Sequence, residues 1–191
     1  MSQMSLFSAE IEDPAIADLA GLLAAQGQSV HTSWGARVSV VVPDSWRADA
    51  ICEEIRGAGL SAEIITSEEG HPLARTEANP RITALHRAWS SGAIKAVPEG
   101  WTPTPHALRL WVLAAGRADG SHYLLGLDPK APDTHAPLAT ALMRTGIAPT
   151  LIGTRSGMLG LRVSSRKRIR RLAETVGIAP VGAPAGVWPV G

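Results

Sequence analysis

The sequence has one cysteine, one tyrosine and one phenylalanine among its 191 residues, and it lacks any long apolar run. The single thiol, Cys52, excludes an internal disulfide framework and a cysteine-based zinc site. The longest apolar stretch near the start, residues 19–25, is far too short to span a bilayer. No basic segment precedes it, so the sequence predicts neither a signal peptide nor a membrane span, and we expect a cytoplasmic protein.

A large excess of charge of one sign is also missing, because the formal net charge is only +1. This balance conceals a strong asymmetry along the chain. Residues 1–70 carry eleven acidic and three basic side chains, a net charge of −8, whereas residues 71–191 carry fifteen basic and six acidic side chains, a net charge of +9. Such polarity predicts a basic surface that faces an anion, or two halves that attract each other.

Motifs for enzymatic chemistry are absent from the sequence as well. The six histidines form no i,i+4 pair and no HExxH motif, and no glycine-rich phosphate loop follows a predicted strand. No Ser-His-Asp arrangement can be located. The sequence therefore predicts no catalytic residue, no metal and no cofactor, and a small-molecule enzyme that uses a cleft between two repeats remains an alternative.

The chain does contain an internal repeat. Gly27 and Gly116, Gly59 and Gly146, and Gly92 and Gly177 follow predicted helices at separations of 89, 87 and 85 residues. The predicted elements keep the same order on both sides of a proline-rich joint at residues 98–105. We therefore expect an α/β (α+β) fold with a duplicated α-β-β-α-β-β-α unit, at residues 14–97 and 105–178, and a loosely attached, uncharged tail at residues 179–191.

A related nonapeptide opens each unit. Residues 19–27 read Leu-Ala-Gly-Leu-Leu-Ala-Ala-Gln-Gly, and residues 108–116 read Leu-Arg-Leu-Trp-Val-Leu-Ala-Ala-Gly. Together with the duplicated order of elements, they resemble the signature of the LAGLIDADG homing endonucleases. The resemblance implies that two motif helices pack backbone to backbone across a pseudo-twofold axis, and that the strands form saddle-shaped sheets whose concave face meets DNA.

The two motifs depart from the nuclease pattern at one position each. In the nucleases, an acidic residue just before the final glycine holds the divalent metal that activates water. The corresponding residues here are Gln26 and Ala115. A neutral amide is a poor ligand for a hard cation and a methyl group is no ligand, so we expect no nuclease activity by this mechanism.

The second unit is similar to the catalytically inactive LAGLIDADG unit of WhiA-type sporulation and division regulators of actinobacteria. The similarity rests on the segments at residues 113–116, 123–127, 138–139, 146–147 and 162–163. It implies a DNA-binding or regulatory module that takes part in transcription regulation. Those regulators add a C-terminal helix-turn-helix domain, which residues 179–191 do not predict, so we do not expect sequence-specific promoter recognition.

Polar side chains alternate with apolar ones on the predicted strands. The alternation places polar residues on the concave face, where arginine and histidine can reach phosphates or base edges of duplex DNA. Alternating polar residues also keep a half-exposed sheet soluble, and this alternative stays open. The candidate nucleic-acid-binding residues are Arg37, Ser39, Arg75, His122, Arg155 and Arg162.

The last predicted helix carries five cations in six residues. Its apolar residues form a buried stripe, so the cations cover the exposed face, and those in the first turn oppose the helix dipole. A solvated helix face is the alternative to a partner-binding surface, for which the candidates are Arg166, Lys167, Arg168, Arg170 and Arg171. The sequence thus predicts a monomeric, non-catalytic DNA-binding module. The alternative is a protein-interaction module that uses the acidic first repeat and the basic last helix, the latter for an acidic protein partner.

Overall fold

The computed structural model describes residues 15–153 and 159–191. In this part of the chain the helices are α1 (Ala20–Ala24), α2 (Ser45–Gly57), α3 (Thr83–Ala88), α4 (Pro105–Ala115), α5 (His135–Arg144) and α6 (Arg166–Val176). Short 3-10 turns precede three of them, at Ile16–Leu19, Pro80–Ile82 and Pro132–Thr134. The strands are β1 (Gln28–Thr32), β2 (Gly35–Val41), β3 (Ala62–Thr66), β4 (Pro72–Thr76), β5 (Ser90–Ser91), β6 (Ile94–Lys95), β7 (Gly116–Asp119), β8 (His122–Gly126), β9 (Thr150–Ile152) and β10 (Gly160–Val163).

The order of the elements repeats along the chain. Both halves run α-β-β-α-β-β-α, with the hairpin β5–β6 inserted between them. The first half forms an antiparallel sheet with strand order β1-β2-β4-β3, and the second half forms one with the matching order β7-β8-β10-β9. The predicted mixed fold and its element order are therefore confirmed.

Two details of the predicted elements are wrong. Gly92 does not end a helix, because α3 ends at Ala88 and Gly92 lies in the β5–β6 turn with a φ of 62°. Strand β7 was not predicted, since its residues Arg117 and Ala118 are both exposed and its sequence shows no apolar alternation. Residues 154–158, between β9 and β10, lie outside the described part.

Helices α1 and α4, which carry the two motifs, pack against each other in the centre of the core. A Cβ atom built on Gly21 would lie 1.9 Å from the Ala107 carbonyl oxygen, so the two backbones approach within a distance that only glycine allows. Leu22, Leu110 and Leu113 around this crossing are fully buried. The backbone-to-backbone packing implied by the resemblance is thus present.

Each sheet has a core side and an opposite side. On β2 the burial alternates, with Val38 and Val40 in the core and Arg37 and Ser39 half-buried on the other side. In the second sheet the core side includes Leu125 of β8, which shares one apolar cluster with α6. We call the opposite side of the two sheets the open sheet face, and its polar members include Arg37, Ser39, Arg75, Arg117, His122 and Arg162 together with the acids Glu63 and Asp119.

The final residues pack on the second half, although the sequence predicts a loosely attached tail. The Trp188 side chain is only 6% exposed, and its indole N–H donates to the Gly177 carbonyl oxygen at 2.8 Å. The Arg109 guanidinium lies 5.1 Å from the centre of the Trp188 ring, and the Tyr123 hydroxyl donates to the Val187 carbonyl. A large aromatic ring at the end of an uncharged segment thus anchors it.

Candidate nucleic-acid interface

The open sheet face of the first half carries two arginines on neighbouring strands. Arg75 of β4 lies opposite Ser39 of β2 and directly opposite Glu63 of β3, and its Nε donates to the Glu63 carboxylate at 2.7 Å. Arg37 of β2 forms no ion pair among the residues that the structure describes. Its Nε is buried and has no hydrogen-bond partner there. The prediction placed both arginines on one face but did not foresee the neutralising Glu63.

The second half repeats this arrangement with different strands. Arg162 of β10 donates through Nε to the Asp119 carboxylate of β7 at 3.1 Å, and Arg117 of β7 is exposed on the same face. Leu124 lies between the two arginines in the sheet and is buried, leaning over Gly160. His122 is half-buried, and its Nδ1 has no partner within the described residues.

The open sheet face is therefore less basic than the sequence suggests. Two of the predicted arginines are each paired with a carboxylate, and within residues 15–153 and 159–191 the arginines of this face without a carboxylate partner are Arg37 and Arg117. Arg117 was missed because β7 itself was not predicted. Arg155, another candidate, lies outside the described residues.

The two positions that hold acids in the nucleases lie beside the ends of α1 and α4. Gln26 follows α1, and its Nε2 donates to two carbonyl oxygens, of Val41 in its own half and of Ala114 in α4, each at 2.9 Å. Ala115 ends α4 and is half-buried. The Gln26 amide thus links the first half, through Val41, to the second half, through Ala114.

A buried ion pair lies next to this amide. Lys95, from the hairpin between the halves, contacts the Asp128 carboxylate with an Nζ–Oδ2 distance of 2.8 Å, and the side chains are only 8% and 4% exposed. The Lys95 ammonium also donates to the Ala25 carbonyl at 3.0 Å, and Gln28 donates to the same Asp128 oxygen at 2.8 Å. We call Gln26, Gln28, Lys95 and Asp128 the helix-end cluster.

The two charged groups of the helix-end cluster neutralise each other. Burial would raise the pKa of the Asp128 carboxyl, but hydrogen bonds from Lys95, the Lys130 N–H and Gln28, with the Lys95 charge, hold that pKa below its ordinary value. Burial lowers the pKa of the Lys95 ammonium, against the opposing hydrogen bond and charge of Asp128. Asp128 is therefore ionised at neutral pH and has a cation of the protein's own as its counter-ion.

The titratable side chains of this region do not converge on a common metal or His–Asp site within the described residues. Across residues 15–153 and 159–191, no group of three or more His, Cys, Asp or Glu side chains is arranged to hold a metal ion. His135 approaches Asp128, but its Nε2 bonds the backbone carbonyl oxygen at 2.8 Å rather than the carboxylate. The arrangement that the small-molecule enzyme alternative requires is thus not formed by this pair.

The five cations of α6 lie together on its exposed side, and we call them the basic α6 face. All five residues are exposed, whereas Leu172 and Val176 of the same helix are buried. Arg168 donates to the Ala148 carbonyl at 3.2 Å, and the Arg171 guanidinium lies beside Gly146. Together with Gly146, Ser165 and Glu174, four of the cations line an open cleft of about 560 Å³. In the described ranges none of the five forms an ion pair.

Comparison with known proteins identifies the fold. The full-length DUF199/WhiA of Thermatoga maritima superposes with a TM-score of 0.60 and 17% identity over 86% of this chain, which spans 55% of that protein. The N-terminal LAGLIDADG domain of DUF199/WhiA gives a TM-score of 0.57 and 17% identity, covering 86% of this chain and 82% of the domain. The homing endonuclease I-WcaI, bound to its DNA recognition sequence, gives 0.62 and 9% identity, with 87% and 84% covered.

These similarities show that the chain has the LAGLIDADG fold. No protein-family model and no curated protein matches the sequence. The chain spans about half the length of the full-length WhiA structure that it resembles. In the described part of the chain, no helix is long and apolar enough to cross a membrane.

Proposed function

We propose that this chain is a non-catalytic, DNA-binding regulatory module, built from two LAGLIDADG units at residues 14–97 and 105–178 that are related by a pseudo-twofold axis. The observation that carries the non-catalytic assignment is the Gln26 amide, which stands where a nuclease has an acidic residue. Both of its N–H groups donate hydrogen bonds to backbone carbonyl oxygens. Ala115 supplies no ligand at the second position. The Asp128 carboxylate, which accepts a hydrogen bond from Gln28 close to the first motif, is already neutralised by Lys95.

The open sheet face supports binding to duplex DNA. A solved homing endonuclease with this fold is bound to its DNA recognition sequence. On this chain, Arg37 and Arg117 offer guanidinium groups without a carboxylate partner in the described residues, and Arg37 Nε and His122 Nδ1 lack a hydrogen-bond partner. Phosphate oxygens accept hydrogen bonds from accessible guanidinium nitrogens, as on the exposed Arg117, whereas Arg37 Nε and His122 Nδ1 are themselves buried. Arg75 and Arg162, paired with acids, would contribute less.

Substitution of the unpaired arginines tests this assignment. Each phosphate contact contributes about −0.9 to the slope of log affinity against log salt. We expect R37Q/R117Q to reduce that slope by about 2 in anisotropy titrations with a labelled duplex. E63Q should steepen it by about 1, because it releases Arg75 from its ion pair, whereas E53Q removes an exposed acid from α2 and should leave the slope nearly unchanged. Absence of duplex binding at low salt would contradict the proposal.

The non-catalytic assignment has its own test. Supercoiled plasmid incubated with the protein and Mg²⁺ or Mn²⁺ is expected to remain uncut. Metal-dependent nicking that the wild-type protein retains through purification would overturn the assignment. Its loss in D128N would place the activity at the end of the first motif, where Asp128 contacts Gln28 and Lys95.

A further inference from the structure

We propose that the basic α6 face is a second phosphate-binding surface, which contacts the backbone of a nucleic acid separately from the open sheet face. The inference rests on the proposed function only in the class of ligand, because the surface, the residues and the variants that test it are different. Its evidence is charge density, side-chain chemistry and position in the fold.

The charge density of the basic α6 face matches that of duplex DNA. From Arg166 to Arg171 the helix axis advances about 8 Å, at roughly 1.5 Å per residue. Duplex DNA presents one negative charge for about every 1.7 Å of its axis when both strands are counted, so the same length of duplex carries about five phosphates. One strand alone has about the same charge spacing as an extended acidic peptide, which advances about 3.3 Å per residue. A duplex therefore offers more anionic charge along this length only because its two strands lie side by side.

These cations are also placed against local preferences and are not balanced inside the protein. Three of them, Arg166, Lys167 and Arg168, stand in the first turn, where positive charge opposes the helix dipole. Among the described residues none has an ion pair, and Glu174 is the one acidic residue that lines the cleft. The positive charge of such a surface is available to be neutralised by the anionic groups of a bound ligand.

The side-chain types favour phosphates over a protein surface. Four of the five are arginines, whose planar guanidinium groups bind phosphate oxygens in pairs. Stable protein interfaces instead have an apolar or aromatic centre from which charges are depleted. Between residues 166 and 171 the one apolar side chain, Ile169, packs against the core. The expected contact is electrostatic and independent of base sequence.

The basic α6 face lies on the other side of the second sheet from the open sheet face. Leu172 and Val176 of α6 pack in the same cluster as Tyr123 and Leu125, which point to the core side of β8. The cations point away from that core, whereas Arg162 points to the opposite side of the sheet. Two separate stretches of nucleic acid can therefore be held at once.

The test measures the binding of a labelled 20-base-pair duplex by anisotropy between 50 and 200 mM salt. The variant R166Q/K167Q/R170Q removes three cations that are exposed and form no ion pair with any residue in the ranges 15–153 and 159–191. Because each surface binds duplex by itself, the variant should lower the number of duplexes bound per protein at 50 mM salt from two to one. The control R56Q/R81Q/R87Q removes the same charge from exposed positions of the first half and should bind like the wild type. Circular dichroism checks folding, and R166Q/R170Q replaces the triple variant if it fails to fold.

The outcomes separate this proposal from the proposed function. If the α6 variant binds like the wild type, the α6 proposal is overturned, whatever R37Q/R117Q does. If the α6 variant alone loses a bound duplex, the α6 surface is supported and the sheet assignment fails. Competition by polyglutamate, or by phosphatidylserine vesicles, that exceeds competition by unlabelled duplex of equal charge would overturn the proposal in favour of an acidic protein or a membrane. A wild-type protein that binds no duplex overturns both proposals.

Discussion

The helix-end cluster and the basic α6 face hold charged side chains in opposite ways. At the helix ends, Lys95 and Asp128 are almost fully buried, and each finds further hydrogen bonds in the protein. On α6, five cations are exposed and none has an ion pair within the described residues. A buried pair is destabilising once one partner is removed, whereas an exposed cation contributes little to stability. The first region therefore fixes the structure, and the second is available to a ligand.

The largest expected effect follows from breaking the buried pair. Lys95→Met keeps most of the aliphatic stem but leaves the Asp128 carboxylate buried without its cation. We expect the free energy of unfolding to fall by about 3 kcal/mol, measured by urea denaturation at pH 7.

A double-mutant cycle separates the pair from general damage. The double variant K95M/D128N lacks the unpaired carboxylate that K95M leaves behind. Its loss of unfolding free energy should therefore be smaller than the sum of the losses of the two single variants by at least about 1 kcal/mol. A loss below about 0.5 kcal/mol for K95M alone would show that the pair is not structural.

The next effect concerns the amide that joins the two halves. Gln26→Glu replaces two donors with carboxylate oxygens that face the carbonyls of Val41 and Ala114. We expect a loss of about 2–3 kcal/mol at pH 7, because both hydrogen bonds disappear and the carboxylate oxygens are repelled by the two carbonyl oxygens that they face. Gln26→Met, which removes only the hydrogen bonds, should cost about 1 kcal/mol and is the matched control. Equal losses for the two variants in chemical denaturation would contradict this role.

The fold was predictable from the sequence to a greater extent than the interface. Helix stops such as Gly59 and Gly146, and the alternation around Val38 and Val40, are local patterns that reveal an element and its core side. The neutralisation of Arg75 by Glu63 depends on strand register between β3 and β4, which no local pattern specifies. The Lys95–Asp128 pair joins residues from a two-residue strand and a loop, and neither has periodicity that could indicate burial.

Acidification should remove the Asp128 contribution and leave the basic α6 face unaffected. The folded pKa of Asp128 lies below that of an unfolded aspartate, about 3.9. Its contribution is therefore complete above the unfolded pKa and is lost as the pH falls through the folded pKa. The difference in unfolding free energy between wild type and D128N should shrink between pH 6 and pH 2.5. A difference that stays constant or grows would show that the carboxylate gains nothing from its partners.

The smallest expected effect on stability belongs to the basic α6 face, and it completes the contrast with the helix-end cluster. R166Q/K167Q/R170Q should change the free energy of unfolding by no more than about 0.5 kcal/mol, and the sign should favour the variant. Arg166 and Lys167 lie in the first turn, where neutralising a cation relieves its repulsion from the helix dipole by a few tenths of a kcal/mol.

Thermal and urea unfolding of the variant and of R56Q/R81Q/R87Q measure this change in stability at the same net charge. A loss above about 1 kcal/mol, confined to the α6 variant, would show that these cations stabilise the packing of α6 and the final residues. Unchanged stability together with weakened duplex binding assigns them to a ligand.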